Sequence, residues 1–120
     1  MGITGNGWQV IKSINLKTTD IYETSSPLKF DLYIGSTQPD TTWIGQVQLF
    51  VNCPSVYINN LPVGQIGLTG KPLGVFSTFS FTLPSNVLAA LAGNHSDFSF
   101  SIALNTKPGS GPYYFDNMRF

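Results

Sequence analysis

Charge is what this chain has least of. Six basic and six acidic residues among 120 make up 10% of the sequence and cancel, against about 25% charged in an ordinary domain. Lys and Arg form no cluster. That excludes the multi-phosphate grip needed for nucleic acid and electrostatic docking on anionic membranes. The single cysteine, Cys53, rules out an internal disulfide. A free thiol in a strand is ordinarily a small buried hydrophobe, so cysteine usage is silent on redox compartment. With one histidine, His95, no Cys/His spacing suggests zinc. These 120 residues hold neither a secretory signal nor an apolar run long enough to span a bilayer. Met1-Gly2 reads as an introduced start, so the chain is expected to be one domain excised from a larger protein.

What is present is apolar, aromatic and uncharged-polar. Hydrophobic residues reach 42%, too many for a disordered chain. Nine Phe and five Tyr are frequent for this length, and Ser, Thr, Asn and Gln fill the polar role. A neutral, polar-aromatic surface suits an uncharged partner, and polysaccharide is the evident one.

Turn signals recur at short, regular intervals, as in an all-β sandwich. Extended segments are expected over Trp8 to Asn15 and Lys17 to Glu23, with a break at Ser25-Ser26-Pro27. Leu28 to Ile34 alternates, with Phe30, Leu32 and Ile34 on one face and Lys29, Asp31 and Tyr33 on the other. Trp43 to Cys53 is the longest strand. Val47, Leu49, Val51 and Cys53 share its core face, and Gln46, Gln48, Phe50 and Asn52 share the opposite one. Two shorter pieces follow, Val56 to Asn60 and Val63 to Thr69, divided at Asn59-Asn60-Leu61-Pro62. Phe79, Phe81, Phe98, Phe100 and Ile102 should complete the core. Pro84 or Ser85 can start one short helix that Gly93 ends. The absence of βαβ spacing favours an antiparallel sandwich of jelly-roll or related type.

No catalytic constellation emerges. His95 lies beside Ser96 and Asp97 in one polar turn, whereas a triad needs side chains converging from separated elements. The acids Asp20, Glu23, Asp31, Asp40, Asp97 and Asp116 give no paired-carboxylate cleft pattern. Asn94-His95-Ser96 matches a glycosylation sequon and is read as a chance match. A sugar-binding platform is the better candidate. Sugar rings stack their C–H faces on flat aromatics while their hydroxyls need amide and carboxylate partners. Gln46, Gln48, Phe50 and Asn52 supply that mixture, and Asp31 and Tyr33 repeat it on the preceding strand. Consecutive strands neighbour one another about two-thirds of the time, which would merge the two rows into one face. Trp8, Trp43 and Tyr57 add stacking candidates, although Trp43 shares the parity of Val47 and can be core. Such rows can also merely solvate a sheet.

The chain closes on Tyr113-Tyr114-Phe115-Asp116-Asn117-Met118-Arg119-Phe120, after the loop Pro108 to Pro112. Asp and Asn are poor strand residues, so a bulge, a hydrogen-bonded edge or a cation should compensate them. Met118 and Phe120 are expected to be buried, with the strand pairing near the N-terminus or mid-chain. The run Phe115-Asp116-Asn117-Met118-Arg119-Phe120 resembles the end of β-sandwich carbohydrate-binding modules appended to secreted bacterial polysaccharide-degrading enzymes. The resemblance implies a non-catalytic module, secreted or at the cell surface, that holds a tethered catalytic domain on polysaccharide. It also implies a structural calcium with Asp116 as a ligand and oxygen ligands near the N-terminus, where Asp20 and Glu23 are candidates only as acids early in the chain. The competing reading is a structural or adhesion sandwich without a sugar site.

Overall fold

The computed structural model describes residues 2–21 and 27–119. Among them, eight strands run antiparallel: β1 (Gly2–Ile3), β2 (Gly7–Lys12), β3 (Leu28–Thr37), β4 (Gly45–Cys53), β5 (Ile58–Gly67), β6 (Phe76–Phe81), β7 (Ser99–Thr106) and β8 (Gly111–Arg119). One helix, α1 (Ser85–Ala92), lies between β6 and β7. The strands form two four-stranded sheets, ordered β1-β8-β3-β6 and β2-β7-β4-β5. The fold is an all-β sandwich with one short helix.

Period-two alternation decides which side of each strand meets the core. Val47, Leu49, Val51 and Cys53 are buried against Phe79, Phe81, Phe98 and Ile102, as expected, and Phe100 is half-buried against them. Phe30 is the aromatic hub. Its ring stacks with Phe79 at 5.8 Å and Phe81 at 5.9 Å and meets Phe115 at 5.7 Å. Burial of each such ring contributes about 1.5–3 kcal/mol. Helix α1 adds Val87, Ala90 and Leu91 to the same core.

Three expectations are corrected. Residues 17–21 are not a strand: Thr18–Asp20 is a 3-10 turn. Its Thr18 is buried and clamps the 93–95 loop, donating from N–H to His95 O (2.8 Å) and from Oγ1 to Gly93 O (2.8 Å). Side-chain bonding of this kind replaces the ladder. Next, β5 is one strand that runs through Pro62. It is an edge strand, where proline's missing N–H leaves no ladder bond unmade. Finally, β3 and β4 are in different sheets, so the two polar-aromatic rows face opposite sides of the sandwich.

The closing strand pairs with both β1 and β3. Its Asp116-Asn117 pair forms a bulge. Asp116 opposes Asp31 and Arg119 opposes Lys29, so two residues of β8 face Phe30 alone. Asn117 takes the positive φ, 57°, that such an extra residue demands and that Asn tolerates. The added residue breaks the alternation, which leaves Met118 37% exposed rather than buried. Phe120 and Glu23 lie outside the described residues.

Candidate functional site

On the outer side of the second sheet, Ser101 of β7 forms a floor between taller residues. The register places Trp8, Asn105 and Gln46 in one row, then Val10, Ala103, Gln48 and Gln65, then Lys12, Ser101, Phe50 and Pro62. Ala103 points outward yet is fully buried, because its large neighbours cover it. Trp8 and Phe50 meet edge to face at 6.5 Å, the favoured offset for two rings. The resulting groove of about 360 Å³ is lined by Trp8, Val10, Lys12, Phe50, Asn52, Asn60 and Ser101. A second depression of about 240 Å³ lies across Phe50, against Gln48, Pro62 and Gln65. Phe50 is therefore a wall shared by two hollows.

Amides around this groove are held in position. Gln48 Nε2 donates to Gln65 Oε1 at 2.7 Å across the β4–β5 pair. Asn52 Oδ1 accepts the Asn60 N–H, and Asn60 sits at positive φ, 47°, where the edge strand twists. Trp8, 52% exposed, offers an open ring face at the rim. Sequence reasoning placed Gln46, Gln48, Phe50 and Asn52 together, and the structure does the same. It missed Val10, Ser101 and Asn60. Ser101 and Val10 have the right outward parity, but only the sheet order reveals that their strands flank β4.

The outer side of the first sheet carries Tyr33 and Asp31 in different company. Tyr33 lies between Phe76 (5.5 Å, 61°) and Tyr114 (5.3 Å, 62°), one aromatic from each of β6, β3 and β8. Phe76 and Tyr114 were not singled out from the sequence. The next row is ionic. Asp31 Oδ1 accepts from Thr78 Oγ1 at 2.8 Å and from Arg119 at 3.3 Å, and Oδ2 accepts from Asn117 Nδ2 at 3.2 Å. Those donors, led by Thr78 and Asn117, hold the Asp31 carboxyl below its ordinary pKa.

This arrangement bears on calcium at Asp116. Calcium needs six to eight oxygen ligands. Here Asp116 Oδ1 accepts the Asn117 N–H at 2.8 Å, and Arg119 Nη1 donates to Asn117 O at 2.7 Å. A guanidinium thus occupies Asn117 O and Asp31 Oδ1 beside the bulge. Among the described residues, the donor set around Asp116 does not fit calcium, and Asp20 belongs to the 3-10 turn apart from this group.

The remaining stacking candidates are scattered. Trp43 precedes β4 and lies on the surface with Lys107 Nζ 5.5 Å from its ring centre, while Ile44 takes the buried position. Tyr57 caps the 3-10 turn Pro54–Val56 at φ 62° and is 92% exposed. Neither lines the groove.

At the Cys53 end, the structure assembles a cluster that the sequence left apart. Ser55 Oγ donates to Asp97 Oδ1 at 2.8 Å and contacts His95 Nδ1 at 3.2 Å. Ser55 N–H donates to Asp97 Oδ2 at 2.8 Å, and Cys53 Sγ donates to Oδ1 at 3.4 Å. The order is carboxylate–serine–imidazole. A hydrolytic triad requires the imidazole in the middle, accepting the serine proton. Here that proton is directed at Asp97, so Ser55 is not activated.

No family model matches the chain. No curated protein matches it either. One solved structure does, at a TM-score of 0.63 and 18% identity, over 98% of this chain. It is described as the structural basis for the promiscuous specificity of carbohydrate-binding modules from the β-sandwich superfamily. This chain spans 44% of that structure's length. The likeness establishes the β-sandwich fold.

Proposed function

We propose that this domain is a non-catalytic module that binds neutral polysaccharide in the groove on the outer side of the second sheet. The observation that carries this reading is the Trp8–Phe50 pair standing beside the floor formed by Ser101, with the amides of Asn52, Asn60 and Gln48 around it. Flat apolar rings answer the C–H faces of a sugar, and amides answer its hydroxyls. The likeness to a carbohydrate-binding module at 98% coverage adds support. Its mechanism is attachment: the module holds a tethered catalytic domain at the cell surface or in secretion near its glycan and raises the effective concentration.

A few hydrogen bonds worth about 0.5–1.5 kcal/mol each, with one stacked ring, correspond to a Kd on the order of micromolar to millimolar. Isothermal titration against soluble glucans, xylans, mannans and galactans tests this. Binding lost on Trp8→Ala or Phe50→Ala, with the fold intact by circular dichroism, supports the groove. Background heat for every glycan from folded protein would leave the structural-module reading in its place.

The first sheet gives a second location for the same activity, because Tyr114, Tyr33 and Phe76 make a continuous aromatic row. The hollows on either side of Phe50 combine rings with the amides of Asn52, Asn60, Gln48 and Gln65, which favours the groove.

A further inference from the structure

We propose that Cys53, His95 and Asp97 form a zinc-type metal site at the end of the sandwich, with the Ser55 hydroxyl as the fourth donor within reach. The site is independent of the sugar-binding reading. Its three ligand atoms come from the end of β4 and from the 93–97 loop, and all lie within 4.8 Å of one another.

The donor types choose the metal. A thiolate and an imidazole are soft to borderline ligands that select zinc and its neighbours over calcium or magnesium. Tetrahedral zinc with bonds of about 2.0–2.3 Å requires ligand atoms roughly 3.3–3.8 Å apart. Cys53 Sγ and Asp97 Oδ1 are already separated by 3.4 Å, and Ser55 Oγ lies 3.8 Å from Sγ and 3.2 Å from His95 Nδ1. The set therefore needs only a small contraction around the ion.

The surroundings hold the imidazole in place. His95 donates its backbone N–H to Thr18 Oγ1 at 2.9 Å and accepts the Thr18 N–H at 2.8 Å. Those bonds tie the loop to the Thr18–Asp20 turn. The ring is wedged by Gly93, where a Cβ would come 2.7 Å from Nε2. Any larger residue at 93 would push the His95 ring aside, although the φ of −87° is accessible to any residue. With Nε2 against Gly93, Nδ1 faces Ser55 and the other donors. Cys53 is completely buried, so an ion at Sγ would be shielded on the core side and open to solvent on the Ser55 side. On binding, the thiol proton now shared with Asp97 leaves to solvent and the metal takes its place.

The test uses untagged full-length chain, because His95 is its only histidine. Titration with Co²⁺ should give a sulfur-to-cobalt charge-transfer band saturating at one equivalent, and Zn²⁺ should displace the cobalt and raise Tm. Cys53→Ala should abolish the band. His95→Ala and Asp97→Ala, which remove partly exposed groups, should each weaken Zn²⁺ binding by roughly tenfold or more. Gly93→Ala, which keeps all donors but displaces the ring, should also weaken it. Folded wild-type protein with no band and no Zn²⁺ shift in Tm would overturn the site. A band unchanged by both His95→Ala and Asp97→Ala would also overturn it, since the thiol would then be acting alone.

Discussion

On the outer side of the first sheet the rows are Tyr114–Tyr33–Phe76, all aromatic, and Asp116–Asp31–Thr78, all polar. On the second sheet the corresponding lines are interrupted at β7 by Ala103 and Ser101. Residue types overlap between the two faces, and topography separates them. The first face satisfies itself: rings meet rings, and Asp31 is neutralised by Arg119 at 3.3 Å. In the second, Ser101 on the central strand β7 floors a hollow that the flanking Trp8 and Phe50 border. Aromatic content alone therefore does not mark a binding face. A gap between aromatics does.

The largest expected effect lies beneath the first face. Phe30→Ala removes the ring shared by Phe79, Phe81 and Phe115 and should cost about 3–5 kcal/mol, read by urea or thermal unfolding. A cost below about 1 kcal/mol would mean that the first sheet is not anchored by this stack.

Trp8→Ala and Phe50→Ala should each lower glycan affinity by roughly tenfold or more, while Tyr33→Ala and Phe76→Ala change it less than about twofold, by titration calorimetry. The reverse ranking would move the site to the first sheet. Ser101→Leu fills the floor of the groove. It should eliminate binding at a stability cost of about 1–3 kcal/mol.

The bulge comes next. Asn117→Val puts a β-branched side chain at φ 57° and removes a donor to Asp31; it should lower stability by about 1–2 kcal/mol. Asp116→Ala loses only the bond to the adjacent N–H and should cost less, and added Ca²⁺ should leave its Tm and the wild-type Tm unchanged.

A smaller effect concerns acid. The folded pKa of Asp31 is depressed, so its stabilising contribution is present above the ordinary carboxylate range and fades as pH falls through that range and below it. Arg119→Ala should raise the Asp31 pKa and move the onset of acid destabilisation upward, measurable by NMR titration of the carboxyl carbon. The smallest effect is on binding by salt. Lys12 is the one charged group lining the groove, so raising ionic strength should change a neutral glycan's affinity little. A steep loss would indicate an acidic glycan.

Much of this was legible in the chain. The alternation of Val47, Leu49, Val51 and Cys53 announced a buried face, and Gln46, Gln48, Phe50 and Asn52 announced the opposite one. The helix at Ser85–Ala92 followed from its flanking Pro84 and Gly93. A bulge at Asp116-Asn117 was one of the three compensations expected for two poor strand formers, beside a hydrogen-bonded edge and a cation. Pro62, in contrast, divided one strand into two because the sequence does not say which strands are edges. The zinc-type cluster was invisible to spacing rules, since Cys53 and Asp97 are 44 positions apart and only folding brings them within reach.

The sequence by itself determined the sidedness of each strand, because successive side chains must point to opposite faces whatever the neighbours are. It also determined the chain's uncharged, aromatic surface chemistry. Tertiary structure alone decided partnership: that β3 and β4 go to different sheets, that β7 inserts its small residues between β2 and β4, and that Ser55 meets His95 and Asp97. Period-two patterning is a local property of one strand, whereas sheet order is set by the long-range pairing that best closes the shared core. The same outward row can therefore become a wall, a floor or a self-satisfied ladder depending on what pairs beside it.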